Sequence, residues 1–278
     1  MISIAMTTYN GEKYVRKQIA SLLNQTVMPD EIIICDDCST DGTRNILQEI
    51  KEHNNSSCDI RLEMNKENLG YTENFKKAIS MTKGDLIFLA DQDDVWHCNK
   101  LEEMQKVMKE KKCSAVCCDF DLIDGNDNPI PDKNQYRITT FEIDRSARLV
   151  PISFNRLVYG NVAQGCCCCF NKEVKEKFLA IDSSELIHDH QIMFISSLLK
   201  GVWYLNEELI DYRLHQNNSV GFSKKSDRRK IEIKKPSHMP FMVQFLDDVS
   251  TRIHIPFKWY YSALYYLRIP YFVSKLKK

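Results

Sequence analysis

Three stretches of this sequence set polar side chains directly after apolar runs. Thr7-Thr8-Tyr9-Asn10-Gly11 closes the first. Asp36-Asp37-Cys38-Ser39-Thr40-Asp41-Gly42 follows Ile32-Ile33-Ile34-Cys35, and Asp91-Gln92-Asp93-Asp94 follows Leu86-Ile87-Phe88-Leu89-Ala90. Carboxylates gathered in one dry site repel one another, and a bound cation relieves the repulsion. Their hard oxygens suit Mg²⁺ or Mn²⁺ bridging a diphosphate. An Asp in such a loop can also cap a helix or close a turn, and that alternative stays open for Asp36 and Asp41. For Asp91 and Asp93 the preceding apolar run argues for a sheet edge rather than a free surface turn. Asp189, at the start of a helical pattern, is on residue physics alone either an N-cap or a reactive carboxylate.

The elements that position these residues alternate. Strands are expected at Ser3–Thr8, Glu31–Asp36, Ile60–Met64, Leu86–Ala90 and Ala115–Asp119. Between them, helices are expected at Glu12–Asn24, from Ser39 or Thr40 to about Lys51, at Thr72–Met81 and at Lys100–Lys111. The continuous apolar run of the second strand fits a parallel strand covered on both faces. This β-α alternation is the pattern of a Rossmann-like, mostly parallel sheet with helices on both faces, an α/β fold. In such sheets ligands bind outside the carboxyl ends of the strands, where the polar stretches lie. Residues 122–160 read as loop-rich. A strand is expected at Cys166–Phe170, helices from Lys172 and over His188–Lys200, and short strands at Val202–Leu205 and Leu209–Leu214.

Lys+Arg and Asp+Glu both number 38, so net charge excludes no partner, but its distribution is uneven. Residues 224–278 hold 13 Lys/Arg against 4 Asp/Glu, together with Trp259, Tyr260, Tyr261, Tyr265, Tyr266, Tyr271 and Phe272. A basic, aromatic, helical C-terminal extension favours an anionic bilayer surface; a helix packed on the protein body is the alternative. No secretory leader is visible, and no run of 18 apolar residues suggests a spanning helix. The 11 Cys are odd in number and lack a disulfide framework, which fits a reduced, cytoplasmic setting. Cys35/Cys38 and Cys166/Cys169 have zinc-like spacing, but both pairs fall in apolar or alternating runs, where Cys acts as a small hydrophobe.

The order and spacing of these motifs resemble the family 2 glycosyltransferases, inverting enzymes of the GT-A fold, and within them the bacterial rhamnosyltransferase-like branch. The resemblance covers most of residues 1–220. It rests on Thr7-Thr8-Tyr9-Asn10-Gly11, Asp36-Asp37-x-Ser39-x-Asp41-Gly42-Thr43, Asn68-Leu69-Gly70 with Asn74, and Gly84-Asp85 leading to Asp91-Gln92-Asp93-Asp94-x-Trp96. His188-Asp189 and Tyr212-Arg213-x-His215-x-x-Asn218 complete it. It implies that Thr7, Tyr9, Asp37, Asn74 and Asp91 hold the nucleotide, that Asp91, Asp93 and His215 surround Mg²⁺ or Mn²⁺, and that Asp189 is the catalytic base. Asn161 and Gly165 match the acceptor-facing segment, although four consecutive Cys there depart from the family's pattern. A surface imidazole remains the alternative for His215.

The resemblance further implies a UDP- or dTDP-linked sugar donor and a glycan or lipid-linked acceptor, in bacterial surface polysaccharide biosynthesis. No nucleic acid is expected as a partner, and self-association is left open. The expected organisation is a glycosyltransferase domain over residues 1–223, with a nucleotide-binding half (1–120) and an acceptor half (121–223), then the extension 224–278. The enzyme is expected in the cytoplasm, peripheral on the inner face of the cell membrane. Two other classes stay in view. A haloacid-dehalogenase-like phosphatase would also carry Asp91-x-Asp93-x-Val95 after an apolar strand. A non-catalytic sugar-nucleotide-binding protein would keep the fold without the chemistry.

Overall fold

The computed structural model describes residues 1–131, 146–159, 161–181 and 186–215. The first half alternates as expected: β1 (Ile2–Thr8), α1 (Val15–Leu23), β2 (Glu31–Asp36), α2 (Thr43–Glu52), β3 (Asp59–Met64), α3 (Tyr71–Met81) and β4 (Leu86–Ala90). A two-residue strand, β5 (Val95–Trp96), precedes α4 (Lys100–Lys111) and β6 (Ala115–Asp124). The second half holds β7 (Leu149–Ile152), α5 (Phe154–Tyr159), β8 (Cys168–Asn171), α6 (Lys172–Leu179), α7 (His188–Leu198) and β9 (Val202–Leu214).

The sheet runs β3-β2-β1-β4-β8-β6-β9-β5, with β7 also on β9. β3, β2, β1 and β4 are mutually parallel. β8 lies antiparallel between β4 and β6, so β6 and its parallel neighbour β9 point the same way as β4. Chain order reverses direction across the sheet after β3. Right-handed crossovers therefore put α1 and α2 on one face and α3 on the other, where it packs with α6 and α7. Covered on both sides, β1, β2 and β4 are buried along their whole lengths. The carboxyl ends of β1, β2, β4, β6 and β9 thus meet along one edge.

Several local expectations are corrected. Helix α2 starts at Thr43 with Gly42 as its N-cap, rather than from a Ser39 or Thr40 cap. Ser39 is instead held by Asp36, which accepts from its amide (3.0 Å) and its hydroxyl (2.5 Å). The Cys166–Phe170 segment begins as a 3-10 turn, Gly165–Cys167, and becomes a strand only at Cys168. The two short strands after residue 201 form one strand, because bulges around Asp119 of β6 absorb the irregular middle of β9. All 11 Cys are free. Cys166 to Cys169 are fully buried, and Cys117 Sγ lies 3.4 Å from Cys168 Sγ and 3.2 Å from Met193 Sδ, a sulfur-rich patch of core. No helix among the described residues is long and apolar enough to cross a membrane. The extension 224–278 and Asn218 lie outside the described residues.

Candidate active site

The carboxyl-end edge opens into a cleft of about 900 Å³. Its lining includes Thr7, Tyr9, Asp37, Asn74, Asp91, Asp93, Gly165, His188, Asp189 and His215. Of the ten residues to which the resemblance assigns a role in the site, only Asn161 is not on the wall itself. A second cavity of about 520 Å³, near Met1 and Cys113, lies at the opposite ends of the strands and gathers none of these groups.

The loops of the nucleotide half are cross-braced. Gln92 Nε2 donates to the Tyr9 carbonyl (2.9 Å) and its Oε1 accepts from the Tyr9 amide (2.8 Å), which joins the loops after β1 and β4. Gly11 is needed for this approach: a Cβ there would stand 2.1 Å from Gln92 Oε1. Asp37 is buried. Its Oδ1 accepts from Asn65 Nδ2 and the Leu69 amide (both 2.8 Å), and its Oδ2 accepts from the Gly70 amide (2.9 Å). Asn74 Nδ2 donates to the Cys35 carbonyl (2.9 Å), and its Oδ1 accepts from Asn65 Nδ2 (2.8 Å). Both residues therefore shape the wall. Tyr9 is half exposed at the mouth. Asp36 points away from the cleft, into Thr8, Ser39 and Arg44. Asp41 accepts from the Thr43 amide (3.0 Å) at the start of α2. The turn-and-cap role left open for these two carboxylates is the one they have.

After β4 the carboxylates divide. Asp93 Oδ2 meets His215 Nε2 at 2.7 Å. Asp91 converges with Asp94 and Cys166, their ligand atoms all within 4.8 Å of one another. Burial, reinforced by the Asp93 charge, pushes the Asp91 carboxyl up to about 7, and the same causes push Asp94 well above the carboxylate range. Asp94 Oδ1 accepts from the Arg213 amide (3.0 Å), whereas its buried Oδ2 has no hydrogen-bond partner among the described residues. An orphaned carboxylate oxygen beside two further carboxylates is a donor set that fits a hard divalent cation. Burial pushes the Cys166 thiol well up, so it stays neutral and is a poor ligand for such an ion.

Asp189 stands in the first turn of α7, but the N-cap is Ile187, without a side-chain cap bond. Its Oδ1 accepts from the His190 amide (2.6 Å), and the Asn161 side chain and Gly165 amide also donate to its carboxylate. Burial nevertheless pushes its carboxyl up to about 7, against these hydrogen bonds. That value suits a general base at neutral pH. The expected acceptor-side residues thus bear directly on Asp189.

Residues 3–174 match the family description "Glycosyl transferase family 2". The chain belongs to glycosyltransferase family 2. TuaG of Bacillus subtilis (strain 168), a glycosyltransferase named for teichuronic acid biosynthesis, is 28% identical over 226 residues, covering 81% of this chain and 82% of TuaG. The dTDP-rhamnosyl transferase RfbG of Shigella flexneri is 28% identical over 231 residues, 78% of this chain and 73% of RfbG. Among solved structures, S. aureus TarS 1-349 in complex with UDP-GlcNAc aligns with a TM-score of 0.62 at 15% identity, over 90% of this chain and 67% of that one. The likeness to TarS shows the GT-A fold, as expected from the sequence. Family membership removes the phosphatase alternative, and this chain is a glycosyltransferase.

The glycosyltransferase cleft also depends on residues the sequence reading assigned no role. Lys100 is fully buried. Its Nζ donates to the Cys166 carbonyl (2.5 Å) and lies 3.5 Å from the centroid of the Trp96 ring, a cation beneath the carboxylate cluster. Arg213, equally buried, donates from Nε to the Asp93 carbonyl (2.6 Å), pairs with Asp127 (2.6 Å) and stacks its guanidinium on Tyr14, 4.6 Å away. It clamps the loop after β4 to the end of β6. Arg213 stands inside a recognised motif, which was a usable signal. Lys100 opens an ordinary amphipathic helix, and nothing local marks it.

Proposed function

We propose that this glycosyltransferase moves a sugar from a UDP- or dTDP-linked donor to a hydroxyl of a glycan or lipid-linked acceptor, with inversion and with a divalent cation. The observation that carries the proposal is the pairing, within one cleft, of a carboxyl near pKa 7 at Asp189 with the carboxylate cluster after β4. Asp189 takes the proton of the acceptor hydroxyl as that oxygen attacks the anomeric carbon. Base catalysis of this kind is worth ~10²–10⁴-fold. The nucleoside diphosphate departs from the opposite face, so one displacement inverts the centre and no enzyme nucleophile is required.

Tyr9 offers its ring to the base, Thr7 and Asp37 offer hydrogen bonds at its edge, and Asn74 supports the wall behind it. Asp91 and Asp93, with Asp94 and His215 beside them, would hold Mg²⁺ or Mn²⁺. Such an ion, when bound, supplies Lewis-acid neutralisation of the diphosphate charge. The reading is supported by the relatives' names: TuaG is named for teichuronic acid and RfbG for dTDP-rhamnosyl transfer. Both suit bacterial surface polysaccharide. A non-catalytic sugar-nucleotide binder is disfavoured by the perturbed carboxyl at Asp189.

The test is a thermal-shift and turnover screen of UDP- and dTDP-sugars with and without Mn²⁺. A donor at ~100 times its dissociation constant adds ~2.7 kcal/mol of apparent stability. Stabilisation and transfer that persist in excess chelator would remove the cation from the proposal. Asp189→Asn is expected to keep nucleotide binding and lose transfer.

The organisation proposed is a catalytic domain over residues 1–223 and a membrane-docking extension over 224–278, peripheral on the cytoplasmic face. Each Lys or Arg near an anionic surface contributes ~1 kcal/mol. Flotation of the full chain with anionic liposomes in low salt supports the docking; its absence there overturns it, leaving the extension to the protein body or a second copy.

A further inference from the structure

Resting on that reading, we infer that the Lys13 ammonium pairs with the diphosphate of the sugar-nucleotide donor. Among the described residues, Lys13 is the one lysine or arginine on a cleft wall that also carries Asp37, Asp91, Asp93 and Asp189. Its neighbours on the chain are already paired: Arg16 with Glu49 at 2.7 Å and Lys17 with Asp127 at 2.9 Å. The Lys13 ammonium pairs with no carboxylate among the described residues. It lies instead 4.8 Å from the centroid of the Tyr14 ring, which itself lies 5.0 Å from the His215 ring. Gly125 stands between the two: a Cβ there would be 3.8 Å from both Lys13 Nζ and His215 Cβ. The ammonium is thus placed at the end of the cleft where His215 meets Asp93.

Stability does not account for a cation at this position. Lys13 comes just before α1, whose first turn holds no acidic residue and whose N-cap, Tyr14, makes no side-chain cap bond. The helix dipole disfavours positive charge at that end. Charge balance in the cleft names the ligand. A divalent cation held by Asp91 and Asp93 has its charge offset by those carboxylates, which leaves the negative charge of a diphosphate to be met by another group. An ammonium on a flexible stem is suited to a phosphate, which it binds as a point charge without a fixed fork geometry. No ion pair has to be broken for Lys13 to take it. A sugar hydroxyl, being neutral, would draw far less from the same contact.

Wild type, Lys13→Met, Lys13→Arg and Arg16→Met are compared as full chains in Mn²⁺. Each is titrated with UDP and uridine, and with dTDP and thymidine, by ligand-observed NMR, which also reads weak binding. Lys13 is exposed and Lys13→Met is expected to melt no lower than wild type; should it not fold, Lys13→Gln is read in its place. For the base that wild type binds, Lys13→Met is expected to weaken the diphosphate about tenfold and to leave the nucleoside within about twofold. Added salt should narrow that gap. Lys13→Arg keeps the charge and is expected to stay within about threefold of wild type for the diphosphate. Arg16→Met removes an equal charge away from the cleft wall and should stay within about twofold. A folded Lys13 variant without the charge that binds the diphosphate as wild type does overturns the inference. An equal loss for the nucleoside, which has no phosphate, overturns it too, as does an equal loss in Arg16→Met. A wild-type chain that binds neither diphosphate overturns the donor reading, and the inference with it; the other failures leave that reading standing.

Discussion

His215 Nε2 sits 2.7 Å from Asp93 Oδ2, across 122 residues of chain, with each side chain only 14% exposed. The contact exists because β9 runs parallel to β6 and delivers its last residues to the loop after β4. Arg213 then grips the Asp93 carbonyl, and Tyr14 lies 5.0 Å from the His215 ring. Removing the imidazole leaves Asp93 without its orienting partner. His215→Ala is expected to fold normally and to need about tenfold more Mn²⁺ for the same UDP-dependent thermal shift, the usual scale for losing a group that orients a ligand. An unchanged Mn²⁺ titration would make the contact a packing detail.

The raised Asp189 carboxyl yields a pH profile and a stability effect of definite sign. A general base works deprotonated, so kcat/KM is expected to fall tenfold per unit as pH drops below about 7. For stability, the folded pKa lies above the unfolded one. The folded state binds the proton more tightly, so stability is lost as pH rises from ~4 to about 7 and stays lost above. Asp189→Asn is therefore expected to melt a few degrees higher than wild type at pH 8 and to show no such gain at pH 4. Equal melting at pH 8 would mean that Asp189 carries no such cost.

Asp94 allows a crossed test of the carboxylate cluster. Burial and the Asp93 charge oppose its ionisation, so its charge also destabilises the cation-free protein as pH rises past the unfolded value of ~3.9. Asp94→Asn retains an oxygen for the Arg213 amide and removes the charge. The variant is expected to be more stable than wild type in chelator at pH 8, yet to gain less from Mn²⁺ plus UDP. Calorimetry in the two buffers reads both terms. Gains of the same size in chelator and in Mn²⁺ would place Asp94 outside the cation's reach.

Lys100→Met keeps the stem of a fully buried side chain and removes the cation that bonds the Cys166 carbonyl. The 3-10 turn at Gly165–Cys167 loses its anchor, and the Asp91 carboxyl loses a favourable charge. A loss of about 3 kcal/mol in urea unfolding is expected, the scale for breaking one side of a buried charged interaction. Weaker UDP binding in Mn²⁺ should accompany it. A variant as stable as wild type would show that Lys100 is tolerated rather than needed.

Much of this molecule was legible in its order of residues. Ile32–Cys35 and Leu86–Ala90 are apolar throughout because both faces of their strands are covered, so strand and carboxyl-end loop could be read together. Asp37, Asp91, Asp93 and Asp189 stand in the motifs that carry the family resemblance, and the structure brings all four to one cleft. Local pattern also read Cys35 and Cys166 to Cys169 as small apolar residues, and all five are buried. What the pattern could not carry was pairing. The antiparallel β8 between β4 and β6, the meeting of Asp93 with His215, and the approach of Asn161 and Gly165 to Asp189 all join distant segments. Lys100 looks like an ordinary helix residue until the packing buries it. Residue type and spacing are local properties of a chain, so they determined the fold class and the candidate chemistry. Burial, orientation and the pKa shifts that follow depend on which distant groups exclude water from a side chain, and only the tertiary structure decides that.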